Sequence, residues 1–323
     1  MMRSLTAGKN DAGQRIDRFL MKAFPALSMG YICRLIRKKD IKVGGKRTEA
    51  AYKLVEGDTI TIYAPDEMLD SKPRDTAVNA VCGEVRVIYE DENILLADKE
   101  PGLLVHEDDG GSSDTLIDRI KQYLIDKGEY DPDSELSFVP ALCNRIDRNT
   151  GGIVIAAKNA GSLRVLNQKI RDRELTKLYL CAVCGTPEKK EDTLTGYLYK
   201  DAKLNRVYIT DKKMPENRTA VTKYRVLRTN ADGDSLLEVD LITGRTHQIR
   251  AHMASIGHPL LGDGKYGSNR VNKAKGYKYQ ALYSYKLRFE FTTDAGCLEY
   301  LNGREFEVPD VWFRKFFQNL IDN

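Results

Sequence analysis

Two short polar clusters in this chain have compositions that packing alone does not explain. The first is Asn144–Gly152 (NRIDRNTGG), which precedes an apolar strand and places Asp147 between Arg145 and Arg148. Neighbouring cations hold a carboxylate in its ionised form, in which it is able to act as a nucleophile. The same residues are also typical of a turn in which an Asp side chain bonds its own backbone. Taken alone, the cluster leaves both interpretations open.

The second cluster is Thr243–Met253 (TGRTHQIRAHM), which holds Arg245 and Arg250 together with His247 and His252. Arginine and histidine side chains at this density are suited to RNA phosphates. A polar helix start would have a similar composition. This cluster is therefore also ambiguous when it is considered alone.

The sequence contains no motif for a nucleotide cofactor or a metal ion. No G-x-G-x-x-G follows a strand, no phosphate-binding loop is present, and the four histidines include no H-E-x-x-H pair. Cys181 and Cys184 lie in the apolar strand LYLCAVCG, where their odd separation points the two side chains to opposite faces. We therefore expect no metal, no nucleotide cofactor and reduced thiols.

The hydrophobic pattern predicts the elements that must position these clusters, and their arrangement favours an α+β fold over regular βαβ alternation. Helices are predicted over 15–21, 29–39, 115–125 and 160–173, a short strand with a glycine turn over 41–47, and strands over 55–63, 85–89, 94–99, 152–157, 177–183, 219–227, 236–241 and 283–291. The polar, proline-containing stretch 65–84 reads as a linker between a small domain over 14–64 and a larger one over 85–320.

The charge of the chain is unevenly distributed. The 323 residues carry 51 Lys and Arg against 47 Asp and Glu, a net charge of +4, but residues 1–64 alone carry 13 against 6. The first fifth of the chain thus has a net charge of +7, and the remainder has a net charge of −3. No apolar run approaches the roughly 18 residues of a membrane helix, and the N-terminus lacks an apolar signal segment. These features predict a cytoplasmic protein with a basic N-terminal module.

The basic module has a recognisable order of residues. Ser28 is a plausible N-cap for a helix that carries Arg34, Arg37 and Lys38 on one face, and a basic hairpin with a glycine turn follows. A solvated helix face would also explain the charge. The order nevertheless resembles the αL-type RNA-binding motif of ribosomal and RNA-modifying proteins, although Gly44 stands where that motif usually has Asn. The resemblance implies that Arg34, Arg37 and Lys38 contact RNA.

Taken together, the two polar clusters are specific. Asn144–Gly152 is similar to the H-R-L-D-x-x-T-S-G motif of the RluA-type pseudouridine synthases, and Gly244–His252 matches their G-R-T-H-Q-I-R-x-H motif. Gly257–Gly267 matches the G-H-P-I-x-G-D-x-x-Y-G pattern that follows in that family. Two positions depart from it, because Asn144 replaces the usual His and Gly151 replaces the usual Ser.

The resemblance implies a fold, a reaction and roles for individual residues. It implies the pseudouridine synthase catalytic fold, a mixed and largely antiparallel sheet with helices, joined to a small α+β RNA-binding domain. Asp147 would be the nucleophile that isomerises uridine, Arg250 its charge partner, and Tyr179 the aromatic residue that stacks on the target base. Arg145 would fill the space left by the flipped-out uridine. Arg245 and His247 would contact RNA or support the site.

The sequence therefore predicts a monomeric RNA pseudouridine synthase that acts without a cofactor, with ribosomal RNA of the large subunit as its expected substrate. One alternative is an inactive RNA-binding or ribosome-assembly protein, and a second is a synthase that acts on transfer RNA. An inactive relative would be expected to lack at least one of Asp147, Tyr179 and Arg250, and all three are present.

Overall fold

A computed structural model describes residues 2–70, 83–108, 114–201, 203–204 and 206–317. The helices are α1 (Ile16–Ala23), α2 (Met29–Lys38), α3 (Asp66–Leu69), α4 (Leu116–Asp126), α5 (Ala160–Arg171), α6 (Gln248–Ser255) and α7 (Asn269–Ala274). The strands are β1 (Met2–Thr6), β2 (Ile41–Val43), β3 (Lys46–Arg47), β4 (Thr59–Tyr63), β5 (Val87–Glu90), β6 (Ile94–Lys99), β7 (Ala141–Leu142), β8 (Gly151–Ala157), β9 (Leu175–Val183), β10 (Glu191–Asp201), β11 (Arg206–Thr210), β12 (Arg218–Thr229), β13 (Ser235–Asp240), β14 (Leu282–Phe289) and β15 (Glu305–Glu307).

The N-terminal part of the chain forms a four-stranded antiparallel sheet in the order β1-β4-β2-β3. Helices α1 and α2 bury Phe19, Leu20 and Ile32 completely in the core beneath it. Ser28 caps α2, because its hydroxyl accepts a hydrogen bond from the N–H of Tyr31 at 3.3 Å. The predicted cap and both predicted helices are thus confirmed.

Two elements extend this unit beyond its predicted range of 14–64. Strand β1 lies before residue 14 and pairs with β4 along its whole length. Helix α3 lies at the start of the predicted linker, and its Leu69 is buried in the N-terminal core. Residues 71–82 of that linker, and the end of the larger domain at 318–320, lie outside the described residues.

The larger sheet follows the order β11-β10-β12-β13-β9-β14-β8-β6-β5, with β15 and β7 pairing with β14 and β8. All of these pairings are antiparallel except that of β14 with β8, which is parallel. The predicted mixed, largely antiparallel α+β architecture is confirmed. Strands β10 and β11 were not predicted from the sequence, and they form one edge of this sheet.

The two cysteines of the C-x-x-C pair face opposite sides of β9, as their spacing predicts. Cys181 is packed with Tyr179 and Ile249, whereas Cys184 packs against the core on the other face of the sheet. Within the described ranges, no three His, Cys, Asp or Glu side chains are grouped closely enough to hold a metal ion. The helices of the same residues include none long and apolar enough to cross a membrane.

The segment before α1 contacts the larger unit directly. Asn10 Nδ2 donates to Glu135 Oε1 at 2.6 Å, and Gln14 Nε2 donates to Ser137 Oγ at 2.9 Å. Arg164 on α5 donates from Nη1 to the carbonyl of Ala12 at 3.1 Å. These polar contacts join the basic module to the larger sheet and its helices.

Candidate active site

The Asp147 turn is held against the first residues of β8. The N–H of Thr150 donates to the carbonyl of Asp147 at 3.0 Å, and Gln280 Nε2 donates to Thr150 Oγ1 at 2.6 Å. The side chain of Asn144 bonds the β8 backbone twice, by accepting from the N–H of Ile155 and donating to the carbonyl of Ile153. The Asn that replaces the usual His therefore continues the pairing of β7 with β8 through its amide.

The two glycines at the start of β8 are required by close packing against β14. A Cβ on Gly151 would lie 2.3 Å from the ring of Tyr283, so this chain has no room there for the usual Ser unless Tyr283 moves. Gly152 has a φ of +112°, and a Cβ on it would lie 2.2 Å from the carbonyl oxygen of Ser284. This close approach sets the turn that carries Asp147 directly beside β14 and, one strand further, β9.

Helix α6 is docked on β12 by three polar side chains of the second cluster. Gln248 Oε1 accepts from Thr243 Oγ1 at 2.8 Å, and Gln248 Nε2 donates to Thr222 Oγ1 at 2.9 Å. His252 Nδ1 lies 2.7 Å from the same Thr222 hydroxyl. Burial lowers the pKa of His252 to about 4, so this imidazole is neutral at physiological pH. These hydrogen bonds fix the position of α6, which also carries Arg250.

Arg250 is the centre of a three-residue ionic cluster. Its Nε and Nη2 donate to the two oxygens of Asp263 at 2.6 and 3.0 Å, and its Nη1 donates to Asp147 Oδ2 at 2.8 Å. Burial alone would lower the pKa of Arg250, but the hydrogen bonds and charges of Asp263 and Asp147 raise it above its ordinary value. The guanidinium is therefore a permanent cation, and the bidentate pair with Asp263 aims its free edge at Asp147.

Asp147 itself combines this anchor with access to solvent. Its side chain is 26% exposed, whereas that of Arg250 is 8% exposed and that of Asp263 is fully buried. Only the outermost member of the cluster can thus be reached by a substrate. This is the geometry expected of a carboxylate that is to be oriented by a cation and still contact another molecule.

Tyr179 projects from β9 on the same side of the sheet as Ser284, its partner on β14. Burial raises the pKa of its phenol to about 12, with a hydrogen bond from Ser284 acting in the opposite direction and the charge of Asp147 adding to the rise. Tyr179 is therefore a neutral phenol at physiological pH. The structure brings the predicted trio of Asp147, Tyr179 and Arg250 to one place.

The other predicted contacts are distributed more widely. His247 lies beside the trio, with its Nε2 3.8 Å from Asp147 Oδ2, whereas Arg145 and Arg245 are exposed at the surface. Arg34, Arg37 and Lys38 are exposed on α2, in the N-terminal unit. The structure therefore groups one of these six residues, His247, with the trio of Asp147, Tyr179 and Arg250.

Two residues of the site were not identified from the sequence. Asp263 falls within the matched stretch Gly257–Gly267, so the motif contained its signal, but the spacing did not pair it with Arg250. Lys99 is the last residue of strand β6 and is completely buried. Its Nζ donates to the carbonyls of Glu100, Leu103 and Arg148 at 2.9, 2.8 and 2.9 Å.

Lys99 connects the loop after β6 to the Asp147 turn. Its ammonium group bonds the carbonyl of Leu103 in that loop and the carbonyl of Arg148, the residue that follows Asp147. Burial lowers the pKa of Lys99 to about 7, and the negative charge of Asp147 opposes that change. All three protons of the ammonium form have carbonyl acceptors. The sequence contained a signal for this residue, a lysine at the end of an apolar strand, but no spacing rule links it to residue 148.

We predict that Lys99→Met lowers both stability and activity. The substitution leaves three carbonyls without their donor, so we expect a loss of about 3 kcal/mol in the free energy of unfolding. The Asp147 turn would be displaced, and kcat would fall about 100-fold. Urea denaturation and initial rates measure the two effects.

Lys169→Met is the matched control for Lys99→Met. Lys169 is also fully buried and bonds Glu174 and Thr293, away from the Asp147 turn. We expect it to destabilise the protein and leave kcat near the wild-type value. Equal losses of kcat in the two variants would show that Lys99 acts only through overall stability.

Comparison with known proteins identifies the family of this chain. Residues 93–255 match the model of the RNA pseudouridylate synthase family, and the match includes Asp147, Tyr179 and Arg250. The chain belongs to this family of RNA pseudouridine synthases. It is 34% identical over 312 residues to an uncharacterised RNA pseudouridine synthase of Aquifex aeolicus, across 93% of this chain and 92% of the relative.

A second relative has a more specific name. The ribosomal large subunit pseudouridine synthase C of Vibrio vulnificus is 32% identical over 266 residues, across 81% of this chain and 79% of that protein. Among solved structures, human RNA Pseudouridylate Synthase Domain Containing 1 has a TM-score of 0.57 at 19% identity, covering 74% of this chain and 87% of its own. The predicted RluA-type family, its fold and its class of enzyme, an isomerase acting on RNA, are confirmed.

Proposed function

We propose that this pseudouridine synthase modifies specific uridines of large-subunit ribosomal RNA, with Asp147 as its nucleophile. The observation that carries the mechanism is the 2.8 Å hydrogen bond from Arg250 Nη1 to Asp147 Oδ2 at a partly exposed carboxylate. The choice of RNA is supported by the likeness to a ribosomal large subunit pseudouridine synthase. A cytoplasmic, monomeric enzyme that needs no cofactor is part of the same proposal.

The reaction needs no external reactant, because uridine and pseudouridine are isomers. The bond from N1 of uracil to C1′ of the ribose breaks, the base turns, and a bond from C5 to C1′ forms. A proton leaves C5 and N1 gains one, so atoms and charge balance. The Asp147 carboxylate attacks either C1′ or C6, and its covalent bond to substrate is broken again before product leaves.

Tyr179 and Arg250 serve different parts of that reaction. Arg250 orients the Asp147 carboxylate through the hydrogen bond from its Nη1. The ring of Tyr179 packs against the uracil. Since its pKa is about 12, the phenol can accept the C5 proton only while its own proton passes to solvent water, and N1 takes up a proton from water in exchange.

The target uridine has to leave its stack to reach Asp147, which costs a few kcal/mol in RNA as in other flipped-base enzymes. Arg145 lies two residues before Asp147 in the chain, is exposed, and is the residue we assign to the vacated space. We assign Arg245, which is exposed near the start of the second cluster, and His247 to contacts with RNA or to support of the site. The backbone N–H of Arg245 donates to Gln248 Oε1 at 3.2 Å, which leaves its guanidinium to extend outward.

The N-terminal unit over 14–64 supplies RNA affinity in this proposal, and the unit over 85–320 supplies catalysis. The exposed face of α2 carries Arg34, Arg37 and Lys38, and the β2–β3 hairpin adds exposed Lys46 and Arg47. Exposed cations neutralise backbone phosphates and release counterions. Base flipping and chemistry then take place at Asp147.

We predict that the triple variant Arg34→Gln, Arg37→Gln, Lys38→Gln weakens RNA binding and flattens its salt dependence. Each lost phosphate contact lowers the slope of log K against log salt by about 0.7–0.9. Filter binding between low and moderate salt measures this slope. The matched control removes three exposed cations of the larger unit, Arg171, Arg173 and Lys315, with the same change in net charge. An equal effect in both triples would contradict the assigned role of α2.

The experiment that tests the substrate is a map of pseudouridines in ribosomal and transfer RNA from cells that lack this protein. Loss of a pseudouridine from large-subunit ribosomal RNA, restored by wild type and not by Asp147→Asn, is the expected result. Loss confined to transfer RNA would replace the ribosomal substrate with the alternative. Unchanged pseudouridines in both RNA classes would favour a non-catalytic, RNA-binding protein.

A further inference from the structure

Tyr266 contacts Arg250 and His247, the two side chains of the second cluster that lie beside Asp147. Its ring lies 5.2 Å from the Arg250 guanidinium carbon and 4.7 Å from that of Arg206, measured to the ring centroid. The His247 ring meets it edge-on at 5.7 Å. The Tyr266 side chain is buried, so its hydroxyl needs partners within the protein.

The hydroxyl of Tyr266 has two hydrogen-bond partners in the described part of the chain. The backbone N–H of Val207 on β11 donates to Oη at 3.0 Å, and Oη lies 3.1 Å from His247 Nδ1. A backbone N–H can only donate, so it occupies a lone pair of the phenol oxygen. The phenolic hydrogen then goes to His247 Nδ1, which must be unprotonated in order to accept it.

This assignment fixes the tautomer of His247. With Nδ1 as an acceptor, the single proton of the neutral ring is on Nε2, the atom 3.8 Å from Asp147 Oδ2. Burial lowers the pKa of His247, the charges of Arg250 and Lys265 lower it further, and those of Asp147 and Asp263 oppose this. The ring is therefore held neutral although it borders a carboxylate.

We propose that Tyr266 is a positioning residue that holds His247 as a neutral Nε2–H donor facing Asp147. This inference deepens the proposed function, since it assigns the group that assists the nucleophile. The other tautomer would place the Nε2 lone pair against the carboxylate, which repels it. A protonated imidazole would add a second cation beside Asp147 and make the carboxylate a weaker nucleophile.

The backbone of His247 supports a functional reason for its placement. It has a φ of +55°, in the left-handed region that residues other than glycine seldom adopt. Such conformations persist where surrounding contacts determine them and concentrate at functional sites. Here the contacts are the Tyr266 hydroxyl on the ring and Gln248, which bonds the N–H of Arg245 two residues earlier.

The direct test is the tautomer of His247, measured by nitrogen NMR on the full-length protein labelled at histidine nitrogens. The His247 signals are assigned from the spectrum of His247→Gln. We expect Nδ1 to be unprotonated and Nε2 protonated at neutral pH in the free wild-type enzyme. In Tyr266→Phe, which keeps the ring against Arg250 and Arg206, we expect the two tautomers to become mixed.

The same variant has a kinetic expectation. Without the Oη anchor, kcat of Tyr266→Phe falls about 10- to 100-fold while KM stays near the wild-type value, because the donor to Asp147 is misplaced and RNA contacts remain. Tyr208→Phe is the control: that exposed tyrosine also lies against Arg206, at 5.2 Å, and its loss of a hydroxyl leaves kcat unchanged.

Each outcome decides the inference separately from the proposed function. A wild-type spectrum with the proton on Nδ1, or a Tyr266→Phe variant with wild-type kcat, overturns it. If Tyr266→Phe does not fold, the wild-type spectrum still tests the tautomer. If no RNA tested is modified even by wild type, the proposed function fails, but the spectrum of the free enzyme still reports whether Tyr266 sets the His247 proton.

Discussion

Asp147→Asn removes pseudouridine formation and leaves RNA binding within a few-fold of wild type. The amide keeps the size of the side chain and can still accept from Arg250 Nη1, but it is no longer an anionic nucleophile. We expect the rate to fall on the order of 10⁴-fold or more, as when the nucleophile of other covalent enzymes is removed. Single-turnover assays on the mapped RNA, with affinity measured in parallel, test both parts.

Asp232→Asn is the matched control for this result. Asp232 is an exposed carboxylate in the turn between β12 and β13, so the same chemical change there leaves both rate and affinity as in wild type. An Asp147→Asn enzyme with full activity would exclude covalent catalysis by this carboxylate. Lost RNA binding with intact folding would instead make Asp147 a binding residue.

The fold was predictable wherever burial leaves a pattern in the sequence. Strand β6 was predicted over its observed range, 94–99, because its first four residues are all apolar and buried. Strand β1 was missed because only Leu5 is even partly buried, so its pairing with β4 leaves no hydrophobic alternation. Strands β10 and β11 form a sheet edge; a threonine and a glycine separate the apolar residues of β10, and β11 is only five residues long. Edge strands depend on backbone pairing, which the side-chain pattern does not record.

The site was predictable to the extent that its chemistry lies in contiguous motifs. Asp147 and Arg250 are 103 residues apart, and their contact was implied by family resemblance and not by any local rule. Lys99 was missed because its partners are backbone carbonyls, which every residue has. The His247 tautomer depends on Tyr266 and on a strand, β11, that the sequence did not predict. Contacts of this kind, which position the residues of the site, are set by tertiary packing.

Asp263 is another residue whose role depends on tertiary packing, because it is fully buried and acts on the site through its two hydrogen bonds from Arg250. The pKa of Asp263 is lowered: burial would raise it, but the hydrogen bonds and charge of Arg250 and two backbone N–H groups outweigh burial. A carboxylate with a depressed folded-state pKa stabilises the protein above its unfolded-state pKa. That stabilisation disappears as the pH falls below the ordinary value of 3.8 and through the folded-state pKa.

We predict that Asp263→Asn costs about 3–5 kcal/mol in the free energy of unfolding at neutral pH, since it removes one charge of a buried pair. Oδ1 can still accept from the N–H groups of Lys265 and Tyr266, as it does at 2.9 and 3.1 Å, but the new NH₂ faces Arg250 Nε. Two donors then oppose each other and Arg250 shifts. We expect kcat to fall about 100-fold and the acid limb of the stability profile to flatten.

A second variant separates the structural effect from the catalytic one. Adding Arg250→Met to Asp263→Asn removes the opposed donor and the buried cation, so most of the lost stability returns while the remaining activity is lost. Asp234→Asn is the control, because Asp234 is buried and ion-paired with Lys275 away from the site; it loses stability and keeps kcat. If the double variant were no more stable than Asp263→Asn, the cost would come from the Asp263 position itself. Recovered activity in the double variant would show that Asp147 does not need the arginine to which Asp263 is bound.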